Sequence, residues 1–341
     1  MNSLERILAT LAGQPVDRRP FSLTLCLYGA RLTGCPLPEY YSNPTAYALG
    51  QAAVAERFAP DILFGPFALA AVAEAFGAET RWFPEHPPIL KRPAATSVAE
   101  ALKLPLPDPS GHPRLTYLRE TTRQMAAQSA GTVPIAGVLT CLTDFPALLV
   151  GFEAWMECLL FAPEQARELM ARLNPWFIEL ANGLLEAGAA FVAMPAVFIS
   201  PAMLPRGTVT GVTLPALREA MAGIRGAVVL HHAGGPFLSH LDLLPGLPHL
   251  AAMVVDHTDD LGLCRAALGP EPTLIGGMDG PNLGTLSAAG AAVQARAALE
   301  NRRADARFIL GSTGPDVPYD TPPENLLAVR RAVEEFGGTQ T

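Results

Sequence analysis

Several polar residues that could build an active site stand just after short apolar runs of the sequence. Imidazole and carboxylate groups can orient a ligand by hydrogen bonds, and four such residues are the catalytic candidates: His231, Asp256, His257 and Asp279. A second group is expected to contact the substrate: Tyr28, Arg31, Asp144 and His232. Because adjacent residues of a strand point to opposite faces, we expect the side chains of His231 and His232 to diverge.

The sequence leaves a structural interpretation open for most of these candidates. Asp256 could cap the helix that follows its strand, and Asp279 lies in a Gly-Met-Asp-Gly segment that is typical of a turn. One of the two adjacent histidines could pack under a helix and donate a hydrogen bond to a backbone carbonyl. Tyr28 and Arg31 could be rim residues without a catalytic role.

The elements that must position these side chains are eight short β-rich runs, separated by segments of helical periodicity. Most of the runs are apolar throughout, which is typical of parallel strands covered on both faces. They are 21–27, 61–64, 133–139, 189–194, 227–231, 253–255, 273–275 and 307–310. This alternation predicts an α/β fold, a single (β/α)8 barrel over residues 1–341. Because chemistry in such a barrel occurs at the C-terminal ends of the strands, we expect the candidates to converge there around one cavity.

A proline-rich stretch from His86 to Pro113 has little periodicity and interrupts this alternation. The barrel pattern resumes after it. We therefore interpret the stretch as an excursion within the barrel domain and not as a linker between two domains.

The composition excludes several classes of protein. Half of the 341 residues are apolar and 16% are charged, which excludes a disordered chain. The net charge of −8 argues against nucleic-acid binding, which requires a basic surface. No charge-free apolar stretch reaches the ~18 residues that a membrane span needs. The N-terminus lacks a secretion signal and the five cysteines form no CxxC pair, so we expect a cytoplasmic protein.

Six short segments form a recognisable pattern along the chain. They are ERILATLAG at 5–13, VDRRP at 16–20, VLHHAGG at 229–235, IGGMD at 275–279, ILGS at 309–312 and TPPEN at 321–325. In this order they resemble the uroporphyrinogen decarboxylase superfamily, and in particular its branch of cobalamin-dependent methyltransferases, which work with corrinoid proteins. The resemblance implies a (β/α)8 barrel, in agreement with the number of apolar runs.

The motifs that distinguish the decarboxylase branch are incomplete. That branch has an Arg-Gln-Ala-Gly-Arg-Tyr segment whose arginines hold substrate carboxylates, and only Arg31 matches it here. Its aspartate that faces the pyrrole nitrogens has no counterpart, because the best match is Phe64-Gly65-Pro66. Uroporphyrinogen decarboxylation is therefore not the expected reaction.

The zinc ligands of the methyltransferase branch are also incomplete. Met194 stands at the position of the family's acid, and Ala233 and Pro315 stand at the positions of its two cysteines. Only His231 remains, and one imidazole does not hold a zinc ion. We expect no zinc, although a rebuilt site from His231, His232, Asp256 and His257 is conceivable.

The resemblance thus implies an enzyme that moves a methyl group between a small substrate and the corrinoid of a partner protein. Its site should be apolar where the zinc ligands are replaced and should suit an uncharged methylated ligand or a corrinoid face. The alternative is uroporphyrinogen decarboxylase or a related decarboxylase acting on a smaller acid. A second alternative is a barrel that binds a corrinoid or tetrapyrrole without catalysis.

Overall fold

The structure, a computed structural model, describes residues 1–84 and 86–337, apart from the side chain of Ala71. Eight parallel strands form a barrel, and each of the eight apolar runs overlaps one of them. The predicted (β/α)8 fold is confirmed. In chain order the barrel strands are Phe21–Ser22, Leu63–Phe64, Ile135–Val138, Phe191–Pro195, Ala227–His231, Leu250–Val254, Thr273–Met278 and Phe308–Ser312.

The first strand is much shorter than its apolar run predicted. Strand pairing ends at Ser22, and a helix begins at Cys26, so Tyr28 and Arg31 lie on a helix and do not directly follow a strand. The alternating apolar residues Leu23, Leu25 and Leu27 favour a strand throughout the run. Those three leucines are buried, but burial alone does not distinguish a strand from an extended turn followed by a helix.

Helices surround the barrel and connect its strands. The predicted helices 164–185, 214–224 and 288–299 correspond to Pro163–Glu186, Leu214–Gly223 and Ala288–Asn301. The other α-helices of the described residues are Ser3–Leu11, Cys26–Thr33, Leu37–Tyr40, Pro44–Phe58, Leu69–Glu74, Val98–Ala101, Pro113–Ser129, Phe145–Val150, Phe152–Phe161, Arg206–Thr208, Leu238–Leu241, Leu261–Leu268 and Pro323–Phe336. Short 3-10 turns occur at Val197–Ile199 and Leu283–Thr285, and a π-helical turn at Val209–Thr213.

The proline-rich stretch contains more regular structure than its sequence indicated. Its strand Ile89–Arg92 pairs antiparallel with Glu79–Arg81. The stretch also packs on the barrel's helices, because Trp176 Nε1 donates to the carbonyl of Pro107 at 2.8 Å. These contacts join the stretch to the barrel.

Alternate residues of the strands build two separate cores. One set faces the barrel interior and includes Phe191, Val229, Ala252 and Ile309. The other set faces outward and packs under the helices. Side chains alternate along a strand as long as the backbone stays extended. This division therefore indicates which residues near the C-terminal end of each strand point into the opening of the barrel, which we call the mouth.

A buried carboxylate closes the barrel between its first and second strands. The backbone N–H of Asp61 donates to the carbonyl of Phe21 at 2.9 Å, and the Asp61 carboxylate accepts the N–H of Phe21. Arg6 and Arg18 form ion pairs with the same carboxylate at 2.6 and 2.7 Å. Two segments that carry the family resemblance, around Arg6 and Arg18, therefore have a structural role at the N-terminal end of the barrel.

Within the described part of the chain, no helix combines the length and the apolar character that a bilayer crossing requires.

Candidate active site

The strand ends bring imidazoles and carboxylates into one network at the C-terminal mouth. Val229 belongs to the barrel interior, so His231, two residues later on the same strand, also points inward. The same alternation carries Asp256 inward from Val254 on the sixth strand. The mouth therefore contains ionisable groups directly above the apolar filling of the barrel.

His231 is held by the turn that follows its strand. Its Nδ1 accepts the backbone N–H of Ala233 at 2.9 Å, and Ala233 adopts a left-handed conformation with φ 58°. Among the described residues no group lies at normal hydrogen-bond geometry from Nε2, but an interaction of the ring with the backbone of Gly314 tends to raise its pKa. Burial, reinforced by the neighbouring His232, lowers the pKa of His231 to about 3. His231 is therefore a neutral imidazole at neutral pH.

The side chain of His232 does not diverge from that of His231. The strand ends at His231, and residues 233–235 all have positive φ, so the extended alternation stops there. The two imidazole rings stack with centroids 4.5 Å apart. The expectation that they point to opposite faces is wrong because it assumed an extended backbone through residue 232.

His232 connects the turn to the next strand end. Its Nε2 lies 3.4 Å from the backbone N of Gly314, and its Nδ1 lies 3.1 and 3.3 Å from the backbone N atoms of Gly234 and Gly235. Nδ1 also lies 3.5 Å from Oδ2 of Asp256. Burial lowers the pKa of His232, against the opposing effect of Asp256.

Asp256, His257 and Asp279 continue this network toward solvent. His257 lies between the two carboxylates, with Nδ1 3.6 Å from Asp256 Oδ1 and Nε2 3.3 Å from Asp279 Oδ2. Its side chain is 29% exposed, more than those of Asp256 at 8% and Asp279 at 17%. Burial tends to raise the pKa of Asp256. Hydrogen bonds from Thr258 and the electrostatic effect of His232 and His257 lower it overall.

The structure supports the turn interpretation of Asp279, but Asp256 does not cap the next helix, because Asp260 is the N-cap of Leu261–Leu268. Oδ1 of Asp256 accepts the N–H and hydroxyl of Thr258, and Asp279 accepts the N–H and side-chain amide of Asn282. These bonds fix each carboxylate in its turn and leave one face of each toward His257. The two roles are therefore compatible.

Tyr28 and Arg31 lie outside this network. The Tyr28 hydroxyl donates to the Thr321 carbonyl, and Arg31 Nη1 donates to the carbonyls of Tyr319 and Thr321 at 2.8 and 2.7 Å. The Arg31 guanidinium also lies 5.0 Å from the centre of the Tyr28 ring. Arg31 borders a separate cavity of about 600 Å³, lined by Leu27, Arg31, His86, Pro318, Tyr319 and Asp320.

Asp144 holds the loop after the fourth strand. Its carboxylate accepts the backbone N–H groups of Val197 and Phe198, at 2.6 and 3.0 Å, and the hydroxyl of Thr143. Burial raises the pKa of Asp144 to about 7, against the opposing effect of these hydrogen bonds. None of its hydrogen bonds in the described residues reaches the histidine network.

Thr140 is a mouth residue that the sequence did not single out. Ala136 faces the barrel interior and Leu139 faces the helices, so alternation turns Thr140 inward. Its hydroxyl is buried without a partner. The signal in the sequence was the position of a lone hydroxyl just after an apolar run, and a threonine there is too common to indicate function.

The residues at the family's zinc position do not fit a zinc ion. Because Nδ1 of His231 accepts a backbone N–H, Nε2 carries the ring proton and offers no lone pair to a metal. Met194 packs in the outward core, and Pro315 supplies no donor. No group of three or more His, Cys, Asp or Glu side chains in the described residues, the conceivable rebuilt set included, is arranged to hold a metal. That the protein binds no zinc stays a prediction.

Comparison with known proteins identifies the family of the chain. A family model described as uroporphyrinogen decarboxylase matches residues 2–336. The chain belongs to the uroporphyrinogen decarboxylase family. The resemblance identified from six short segments is confirmed, and the match extends over the proline-rich stretch as well.

Several of the proteins that the chain resembles are methyltransferases or a methionine synthase. It is 25% identical over 237 residues to the methylcobamide:CoM methyltransferase MtaA of Methanosarcina barkeri, a match that covers 67% of this chain and 68% of the relative. A methyltransferase structure from Methanosarcina mazei superposes with a TM-score of 0.89 at 21% identity, covering 98% of this chain and 99% of that one. A B12-independent methionine synthase from Shewanella has a TM-score of 0.55 at 13% identity, with 93% and 96% covered. The two structural likenesses support the barrel fold.

Proposed function

We propose that this protein moves a methyl group between a small substrate and the corrinoid of a partner protein, without a zinc ion. The observation that carries the proposal is the network from Asp279 through His257 and Asp256 to His232, located at the mouth of a barrel of this family. Similarity to a methylcobamide:CoM methyltransferase supports methyl transfer as the reaction.

His257 is the residue best placed to handle a proton in this reaction. When a methyl group leaves a heteroatom, the bonding electron pair stays on that heteroatom, which then needs a proton. His257 is partly exposed, and carboxylate oxygens of Asp256 and Asp279 lie within 3.6 Å of its two nitrogens. This position lets the imidazole of His257 give a proton to a leaving group or take one from an acceptor.

The charge of the site argues against the decarboxylase alternative. A tetrapyrrole with several carboxylates needs several cations, whereas the residues of the network make no hydrogen bond or ion pair to an Arg or Lys in the described structure. Arg31, the one match to the decarboxylase arginines, directs Nη1 to the Tyr28 hydroxyl and to two backbone carbonyls. Arg31 therefore stabilises the backbone conformation of residues 319–321.

The partner's corrinoid is a second substrate in this reaction, since it exchanges the methyl group and is not a resident cofactor of this chain. It would have to approach the C-terminal mouth, where His257 is the most exposed residue of the network. The residues of this chain then orient the small substrate, exclude bulk water from it and supply or remove its proton.

A methyl-transfer assay on matched variants tests this proposal. Reduced free cobalamin is mixed with the protein and small methylated compounds in the presence of a chelator, and the absorbance change on cobalt methylation is followed. We expect His257→Gln to lower the rate by about 10²-fold, the lower end of the range for a general acid or base. The control is His249→Asn, an exposed histidine at the opposite end of the sixth strand that has a positive φ suited to Asn. Equal rates for wild type and His257→Gln would refute the role of His257.

A further inference from the structure

Two adjoining clefts lie at the N-terminal end of the barrel, opposite the mouth. They are formed by the end of the first helix and by the loops that precede the sixth, seventh and eighth strands. Their volumes are about 520 and 690 Å³, and both are bordered by Pro270 and Arg307. Arg307 directly precedes the eighth strand, whereas Thr313, whose hydroxyl lies 3.3 Å from Nδ1 of His257, follows it. The clefts are therefore roughly 20 Å from the histidine network.

The first cleft has a positive charge in a protein whose net charge is −8. The charged residues that line it are Arg265, Arg302, Arg307 and Asp305. The Asp305 carboxylate lies 2.8 Å from Nε of Arg265, so these two charges compensate each other. Arg302 and Arg307 form no ion pair with an Asp or Glu of the described residues, and they donate to uncharged oxygen atoms instead. The cleft therefore presents two uncompensated guanidinium groups.

Backbone carbonyls hold these two guanidinium groups in place. Nη1 of Arg307 donates to the carbonyls of Leu11 and Glu271, and Nη1 of Arg302 donates to the carbonyl of Leu261 at 3.3 Å. In the described structure Nη2 of each arginine makes no hydrogen bond, although both side chains are only half-buried. Both groups are thus positioned in advance and keep N–H donors for an anion, which lowers the entropic cost of binding one.

Gly13 permits the position of Arg307. This glycine ends the segment ERILATLAG and has φ 70°, a conformation that side chains disfavour. A Cβ atom at Gly13 would lie only 3.0 Å from Nε of Arg307. The guanidinium group therefore packs directly on the backbone of Gly13, and this contact restricts the side chain of Arg307 further.

A phosphate monoester matches the charge and the donors of the first cleft. At neutral pH such a group carries about −1.5 to −2 charges and three acceptor oxygens. Guanidinium groups bind phosphate oxygens with short, charge-assisted hydrogen bonds. A carboxylate supplies a single charge and would leave one of the two arginines uncompensated.

The second cleft is mainly apolar and continues from the first. Four leucines and three prolines contribute to its lining: Leu11, Leu247, Leu250, Leu268, Pro245, Pro270 and Pro272. Its charged residues are Arg307 and Glu271, and the side chain of Glu271 is exposed. Because Arg307 borders both clefts, a phosphate group bound to it would direct the organic part of the ester into the second cleft. That part is therefore expected to be apolar.

We propose that the two clefts bind a small phosphate monoester that carries an apolar group. Arg302 and Arg307 bind the phosphate, and the leucine-rich second cleft holds the apolar group. This site is at the opposite end of the barrel from the histidine network. It goes beyond the proposed function, and neither proposal depends on the other.

Isothermal titration calorimetry with three probes tests the site without an activity measurement. The probes are phenyl phosphate, inorganic phosphate and phenol, each at pH 7.5 and low ionic strength. We expect saturable 1:1 binding of phenyl phosphate. Inorganic phosphate should bind at least tenfold more weakly because it buries no apolar surface, and phenol should bind more weakly still because it lacks the charge.

Substitution of each arginine tests the assignment of the phosphate contacts. Arg302→Gln and Arg307→Gln should each raise the Kd for phenyl phosphate about tenfold, the effect of losing a charge-assisted hydrogen bond. The control Arg81→Gln makes the same change of charge at an exposed position on the strand Glu79–Arg81 and should leave the Kd unchanged. If Arg307→Gln does not fold because its bonds to two carbonyls are lost, Arg302→Gln alone tests the prediction.

Three results would each overturn the proposal. They are the absence of saturable phenyl phosphate binding, a Kd that is unchanged in the folded arginine variants, and equal affinity for inorganic phosphate and phenyl phosphate. Weaker binding in the arginine variants, with an unchanged Kd in Arg81→Gln, would support the site even in a protein that transfers no methyl group.

Discussion

Acid should destabilise the protein through His231, by an amount that the structure allows us to calculate. Burial lowers the pKa of His231 to about 3, against about 6.5 in an unfolded chain. Between these two values the unfolded chain binds a proton that the folded protein does not, so stability falls as the pH falls through this window. From pH 7 to pH 5 the loss amounts to about 2 kcal/mol, because the folded protein must keep this imidazole neutral.

Urea denaturation at pH 7 and pH 5 measures this effect in wild type and in His231→Gln. The variant cannot titrate at this position, so its loss of stability between the two pH values should be about 2 kcal/mol smaller than that of wild type. Comparing each protein with itself removes the direct cost of the substitution. The control His249→Asn changes an exposed histidine and should follow wild type. If His231→Gln loses as much stability as wild type on acidification, the lowered pKa assigned to His231 is incorrect.

Three other substitutions test separate parts of the molecule. Asp61→Ala leaves Arg6 and Arg18 without their buried partner and should lower the free energy of unfolding by about 3–5 kcal/mol. A loss below about 1 kcal/mol in urea denaturation would contradict the role of Asp61 in barrel closure. Asp279→Asn removes a carboxylate 3.3 Å from His257 and should slow methyl transfer about tenfold without affecting thermal unfolding. An unchanged rate would exclude the contact between Asp279 and His257 from catalysis. Ala233→Cys restores one cysteine of the family pattern. Elemental analysis should still find well under one zinc per chain, because Met194 faces the outward core. Stoichiometric zinc in this variant would contradict the expectation.

The periodicity of the sequence was sufficient to predict the barrel. Buried parallel strands produce continuous apolar runs, and the runs around Ile135, Val192 and Leu274 are read correctly without any knowledge of tertiary contacts. The end of a strand was harder to predict. At Ser22 the chain leaves the sheet although its residues stay buried and apolar, because the extended turn and the next helix are packed in the same core.

The proximity of the candidate residues was easier to predict than their geometry. His231, Asp256, His257 and Asp279 follow strands whose C-terminal ends must meet, so their proximity follows from the fold. The stacking of His231 on His232 depends instead on a turn in which Ala233 has positive φ, and nothing in an alanine indicates that conformation.

Two further features depend on contacts between distant parts of the chain. Arg31 donates hydrogen bonds to the carbonyls of Tyr319 and Thr321, almost 300 positions away. This structural role could not be inferred from the sequence around Arg31. That the Thr140 hydroxyl has no hydrogen-bond partner among the described residues is visible only once the surrounding side chains are in place.

A paired activity assay tests the proposed reaction most directly. The protein, with and without chelator treatment, is given reduced cobalamin with small uncharged methylated compounds in one reaction and uroporphyrinogen in the other. We expect methylation of the cobalamin that is lost in His257→Gln and retained in His249→Asn, with no coproporphyrinogen formed from uroporphyrinogen. Formation of coproporphyrinogen without any methyl transfer, or methyl transfer that the chelator abolishes, would contradict zinc-independent methyl transfer at this site.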